Sequence, residues 1–331
     1  MEPDYWIELE NTYTERISQR QAIHTTHRSD VLQALPGTEL ACKELMEMVI
    51  QFLCARYPRL FTLQGMTFSN HILGTTHEIP DIDPLMFLLE NVPEDFAIML
   101  RDPETGRYYF RAGIICASTG WNLATKIGLG LADIHNPVPD YKEKMQLSMD
   151  RYVYPVSLVH SLLWFGIVAH MNNINAYTSF FTKMPTSKPI QRGSWLFEVG
   201  QHLYVAPNHP SFDLHANQDP SLSIDDLYPR VDWQTLRRLP LSGAIVFNFK
   251  AFFTPLSKLK HEPYIPSLSL KVLNEGKVNL IQYKSIWHMD HVLKPALAEY
   301  ERYQIEKGII EREWQPQTLQ ETPFYPGWKK Q

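Results

Sequence analysis

Residues 244–253 read AIVFNFKAFF, with Ile245, Phe247 and Phe249 alternating against Val246, Asn248 and Lys250. Successive side chains of a strand point to opposite faces, so a two-residue period of this kind predicts a β-strand. Residues 96–101 and 107–116 are two further strand-like runs. Asp102-Pro103-Glu104-Thr105-Gly106 joins them with turn chemistry, which predicts a hairpin. Helical pattern dominates the first part of the chain. Thr38 follows Pro36-Gly37 and is placed to cap a helix over residues 38–57, with Leu45, Met48, Val49 and Phe52 on one face. Residues 283–307 read as a long helix interrupted by Pro295, residues 121–127 as a short helix and residues 233–238 as a helical turn. Residues 268–274 read as a further strand, residues 61–94 as irregular, and the proline- and aromatic-rich residues 315–331 as an extended strap. Helices mixed with antiparallel strands define an α+β class, and we read residues 1–331 as a single domain.

Composition removes several classes of function. A chain 44% hydrophobic and 20% charged is globular rather than disordered, and a net charge of −5 gives no reason to expect nucleic acid as a partner. Three cysteines (Cys42, Cys54 and Cys116) without CxxC spacing argue against a disulfide framework, a structural zinc or an iron–sulfur cluster built by this chain alone. A reducing compartment, the cytoplasm, fits best. The segment Met1-Glu2-Pro3-Asp4-Tyr5-Trp6 has neither the basic start nor the apolar core of a signal peptide. Walker, GxGxxG and GxSxG patterns are absent from the sequence, so nucleotide-fold and hydrolase readings have no support.

The strongest candidate for chemistry is His135. It lies in Ile134-His135-Asn136-Pro137-Val138-Pro139-Asp140-Tyr141, a loop stiffened by two prolines. Such a backbone presents an imidazole with little freedom, as a metal ligand or catalytic base requires; a histidine bonding its own turn is the alternative. Four other segments accompany it in order: Cys116-Ala117-Ser118-Thr119-Gly120-Trp121, Ser148-Met149-Asp150-Arg151, Gln191-Arg192-Gly193-Ser194-Trp195, and residues 230–240, which open Arg230-Val231-Asp232-Trp233-Gln234. This ordered set resembles the family of haem-dependent oxidative N-demethylase alpha subunits, in its fungal branch, over residues 8–328.

The resemblance implies a PAS-like antiparallel sheet that holds haem b, wrapped by additional helices. It implies His135 as the axial ligand of the haem iron, a role for which neutral imidazole is suited. Arg192 and Arg230 are candidates for the haem propionates, because guanidinium binds carboxylates bidentately; an internal salt bridge is the alternative for each. Trp121 and Trp195 read as pocket wall or core. The candidate catalytic residues are Asp232, Arg230 and Gln234. Asp232 stands where bacterial relatives carry glutamate and can hold a substrate ammonium or relay a proton; a helix N-cap is the alternative. Trp233 stands where those relatives carry arginine, which puts dimethylamine in doubt and favours a larger or more apolar amine held by a cation–π contact.

The implied activity is an O2-dependent oxidative N-demethylation, or a related oxidation of an amine or secondary metabolite. Electrons come from a separate flavin and iron–sulfur reductase, since this chain shows no flavin or nicotinamide motif. A non-catalytic haem-binding PAS-like sensor is the alternative. Lys250 reads as a solvated lysine. His202, His209 and His215 share a loop without zinc spacing, and His288 and His291 are placed to face together on a helix. Residues 152–179 contain the most apolar run of the chain. The core of that run, Val156 to Met171, is shorter than the roughly 20 residues a membrane span needs and contains two histidines, and the resemblance implies that relatives lack the segment. Residues 152–179 read as an atypical insertion, a retained intron translated in frame, and a variant disabled by it is a further alternative.

Overall fold

The computed structural model describes residues 6–141, 180–207, 215 and 217–315. The insertion at 152–179, the Ser148–Arg151 motif, His209 and residues 316–331 of the strap lie outside the described residues. The chain divides into two compact units, Met1–Gly193 with Trp233–Lys250, and Ser194–Asp232 with Ala251–Gln331.

The first unit opens with helix α1 (Tyr13–His27) and a short strand β1 (Leu32–Ala34). Helix α2 (Glu39–Arg56) matches the reading of residues 38–57 and buries Leu45, Met46, Val49 and Leu53. Thr38 does not cap it: the Thr38 hydroxyl donates instead to the carbonyl of Leu35 at 2.7 Å. Residues 61–94 are ordered rather than irregular. Strands β2 (Phe61–Gln64), β3 (Thr67–Asn70) and β4 (Thr75–Glu78) form a three-stranded antiparallel sheet, and helix α3 (Pro84–Asn91) follows. Four-residue strands are too short to show a period. The legible signals were Gly65, at positive φ between β2 and β3, and Asp83-Pro84, where the carboxylate accepts the amides of Leu85 and Met86 at 2.9 Å.

The predicted hairpin is present as β5 (Asp95–Arg101) and β6 (Tyr108–Ile114). Asp102 closes it by accepting the Thr105 amide at 2.7 Å. A bulge between Ile98 and Met99 lets one extra residue of β6 pass. Gly113 sits where a Cβ would collide with the Phe96 carbonyl and the Phe110 ring, so the pairing of β5 with β6 needs glycine there. A 3-10 turn at Leu123–Thr125 replaces the predicted helix over 121–127, and a short helix α4 (Leu131–Ile134) leads into the His135 loop.

Further along come the short helix α5 (Phe180–Lys183) and strands β7 (Ile190–Val199), β8 (Leu227–Arg238) and β9 (Ile245–Phe253). The strands are hydrogen-bonded in the order β1-β6-β5-β9-β8-β7. Strand β9 is the one predicted from alternation, and it pairs antiparallel with β5 from Asp95↔Phe249 to Met99↔Ile245. Residues 233–238 are the end of β8, not a helical turn. Helix formers such as Gln234, Leu236 and Arg237 yield there to pairing within a sheet, which local propensity does not register.

The second unit carries helices α6 (Ile265–Glu275), α7 (Val278–Lys284) and α8 (Asp290–Glu306). Its core includes Phe197, Leu227, Leu273, Leu293 and Leu297. Residues 268–274 are therefore helix rather than strand. Alternating leucine and serine imitated a strand, but Pro266 starts the helix and the small Ser267 and Ser269 lie on its buried face. The predicted helix over 283–307 begins at Asp290, because Ser285 ends α7 at positive φ; α8 runs through Pro295. Among the described residues, no helix is long and apolar enough to cross a membrane.

Candidate functional site

His135 is placed by the end of α4. Its amide donates to the Leu131 carbonyl at 3.2 Å, and its ring Nδ1 lies 2.7 Å from the same oxygen. A carbonyl can only accept, so Nδ1 carries the hydrogen and, in the neutral ring, Nε2 keeps its lone pair. The ring stacks on Tyr141, centroids 4.6 Å apart and planes within 4°. Burial holds the imidazole below the ordinary histidine range. The bond to Leu131 opposes this, and the charges of Arg192 and Lys126 add to it. The neutral form, which is the metal-ligating form, is thereby favoured.

Arg192 lies on β7. Its Nε donates to the Gln234 side-chain oxygen at 2.6 Å, and its guanidinium carbon is 5.4 Å from the Phe247 ring centre. Among the described residues it has no carboxylate partner. His135, Arg192 and Gln234 thus form one electrostatic neighbourhood of the first unit. Trp121, also in this unit, is half-buried and receives the Ser118 hydroxyl on its backbone carbonyl at 2.8 Å. Trp233 is half-buried, and its indole N–H is shielded without an acceptor among the described residues.

The second unit holds the remaining candidates. Arg230, 3% exposed, donates from Nε to Asp232 at 2.8 Å and from Nη1 to Glu198 at 3.1 Å. Arg230 is therefore the cation of an internal ion-pair cluster, and its guanidinium is already engaged by two carboxylates. Glu198 had no motif to announce it. Asp232 is a mid-strand residue and not a helix N-cap, because β8 runs through it. Its second oxygen faces the Ser194 hydroxyl at 3.5 Å. Trp195 is covered on one face by Lys284, whose ammonium lies 3.7 Å from the ring centre and donates to the Trp195 carbonyl at 2.6 Å.

Several polar residues that sequence reasoning passed over belong to the interior. Lys250 is not solvated. It is 2% exposed, donates to the Glu8 carbonyl and offsets the charge of Glu94. Burial pushes Glu94 up to about 7, against the pull of Lys250 and of its bond from Asn248. Arg20 and Asp95 form a buried ion pair, and the other Asp95 oxygen accepts the amides of Cys116 and Ala117 at 2.9 and 2.6 Å. A signal for Arg20 was present: it extends the buried stripe Tyr13, Ile17 at helical spacing. Cys116 lies beneath this pair, its thiol pushed up to about 12 chiefly by burial, so it is no nucleophile.

His215, His288 and His291 make packing and hydrogen-bond contacts within the second unit. His288 lies in a 3-10 turn, not on a helix with His291. It stacks on His215 at 4.1 Å, while His215 bonds the Ser285 hydroxyl and His291 the Asp219 carbonyl. Among the described residues, no group of three metal-ligating side chains gathers. His288 is held down to about 4, first by burial and then by the charge of His215. A folded pKa below the unfolded value of about 6.5 means that stability is fully present above that pH and is lost as pH falls toward 4. Thermal melts across this window are expected to show a loss of up to roughly 3 kcal/mol that His288→Asn removes. Equal pH slopes in wild type and variant would contradict it.

The model of the family described as haem-dependent oxidative N-demethylase, alpha subunit-like, matches residues 1–294, and the chain belongs to this family. The family's name carries haem dependence, and the described residues offer a fit to that group. His135 has a directed Nε2 lone pair, and Arg192 is a cation without a carboxylate partner among the described residues. Arg230 does not fit a propionate, since Glu198 and Asp232 already engage it.

Proposed function

We propose that this chain binds haem through Nε2 of His135, with Arg192 pairing a propionate, and that it oxidatively N-demethylates an amine larger than dimethylamine. The observation that carries the reading is the Nδ1–H of His135 held on the Leu131 carbonyl, which fixes the tautomer a metal ligand needs. A PAS-like description of the sheet belongs to the same proposal. When bound, haem supplies the redox chemistry by which O2 oxidises a methyl carbon on nitrogen. The methyl group leaves as formaldehyde, carrying one oxygen atom, and the other oxygen atom becomes water. A separate flavin and iron–sulfur reductase provides the two electrons and two protons that balance the reaction.

The protein's own residues prepare the site. Tyr141 holds the His135 ring by stacking, and Gln234 orients Arg192 through its Nε. Asp232, which shares Arg230 with Glu198, is the carboxylate we assign to the substrate cation, because a buried ammonium needs a paired charge. The test combines a haem titration with an assay of formaldehyde released from a panel of N-methylamines, supplied with a chemical or enzymatic reductant. Asp232→Asn is expected to leave the haem spectrum intact and to raise KM for the amine about tenfold or more, the scale of one lost charge-assisted contact. Haem binding with no formaldehyde from any amine would favour the sensor reading. Failure to bind haem would remove the proposal.

A further inference from the structure

The first unit contains a cleft of about 420 Å³ that shares no lining residue with the His135, Arg192, Gln234 and Phe247 group. Trp6, Met48 and Phe52 form its apolar wall, and Thr186, Ser187 and Arg237 contribute polar groups. Met48 and Phe52 belong to the apolar face read from the α2 sequence, yet both are only half-buried because they face this opening. Trp6 is 2% exposed and meets Phe52 edge-on at 5.4 Å, so the wall is rigid. The volume falls within the range of small-molecule pockets, about 300–1,000 Å³.

Arg237 distinguishes this cleft from a packing gap. Its guanidinium carbon lies 3.6 Å from the centre of the Trp6 ring, a cation–π arrangement. Its Nε is shielded from solvent and has no acceptor, and among the described residues no carboxylate pairs with it. The neighbouring Arg238 shows what a structural arginine does in the same strand. It donates to the carbonyls of Met184, Gly243 and Phe181 and to the Tyr108 hydroxyl. Burial lowers Arg237 to about 10, which leaves it charged at neutral pH. A half-buried cation that has an aromatic face but, among the described residues, no counter-ion is a recognition element for an anion.

We propose that this cleft binds a small organic carboxylate with an apolar body, the carboxylate on the terminal nitrogens of Arg237 and the body against Trp6, Phe52 and Met48. A single guanidinium matches a single-charge carboxylate. Among the described residues that line it, Arg237 is the one cation, whereas a phosphate dianion calls for more. The Thr186 and Ser187 hydroxyls add neutral donors beside it.

The proposal is independent of haem and is tested on the full chain by calorimetric titration with 2-naphthoate. Saturable binding is expected, weakened about tenfold or more in Arg237→Gln, as for loss of a charge-assisted bidentate contact. The uncharged 2-naphthamide is expected to bind the wild type about tenfold more weakly or not at all, a comparison that holds even if the variant folds poorly. His135→Ala is expected to bind 2-naphthoate as the wild type does, which separates this cleft from the proposed haem site. Absence of saturable binding, equal affinity in Arg237→Gln, equal affinity for the amide, or displacement by equimolar inorganic phosphate would each overturn it.

Discussion

Asp95→Ala is expected to lower the melting temperature by roughly 10 °C or more. Asp95 is 1% exposed and Arg20 likewise 1% exposed, so the substitution strands a guanidinium in the interior. Removing one partner of a buried pair costs about 3–5 kcal/mol. The alanine also leaves the Cys116 and Ala117 amides without their acceptor, at about 1–3 kcal/mol for each group that stays dry. Against a total stability of about 5–15 kcal/mol this is a large fraction, and about 2–4 °C per kcal/mol for a chain of this size gives the expected shift. Arg20→Met combined with Asp95→Asn is expected to melt above Asp95→Ala. The double variant removes the stranded charge and keeps one side-chain oxygen for the two amides. Differential scanning calorimetry decides it; an Asp95→Ala melt within about 2 °C of wild type would refute the argument.

His135→Ala is expected to abolish the shifted Soret band of the haem-loaded protein while leaving the melting temperature of the haem-free protein within a few degrees. Among the described residues, the side chain makes one hydrogen bond, to Leu131, and one stacking contact, with Tyr141. Its structural contribution is therefore about 1–2 kcal/mol. If His135 holds the haem as proposed, its loss would have a far larger effect on the cofactor than on the fold. Imidazole added to the variant is expected to restore part of the band, because the space beside Tyr141 is left open. The depressed His135 pKa also makes a pH statement. Protonation competes with the metal for Nε2, so ligation is expected to persist into the range just below the ordinary histidine value and to fail under stronger acid. An unchanged Soret band in His135→Ala would assign the ligand elsewhere.

The predicted elements that the structure contains are those with long, local signatures. Strand β9 and the β5–β6 hairpin were legible because alternation and turn chemistry are written within ten or so residues, and α2 because its apolar face repeats at helical spacing. The elements that were misread are those where a neighbour overrides the local pattern. The leucine–serine alternation of α6 resolves into a helix because serine is small enough to pack, and the helix-forming end of β8 is held in a sheet. The three short strands of residues 61–78 have too few residues each for any period to show.

The candidate site divides in the same way. By itself the sequence determined the family, through the order of its motifs, and the residue types available for ligation and charge. It also determined the stiffness of the His135 loop, since proline restricts φ whatever surrounds it. Only the tertiary structure decided what each of those side chains has left to offer. The Leu131 carbonyl holds the hydrogen of His135 on Nδ1 and leaves Nε2 its lone pair, Glu198 and Asp232 occupy Arg230, and Arg192 and Arg237 keep charges that no described carboxylate meets. The physical reason is that a pairing energy depends on distance and desolvation between residues remote in sequence. Glu198 is 32 residues from Arg230 and Asp95 is 75 from Arg20, separations at which no local pattern records the partner.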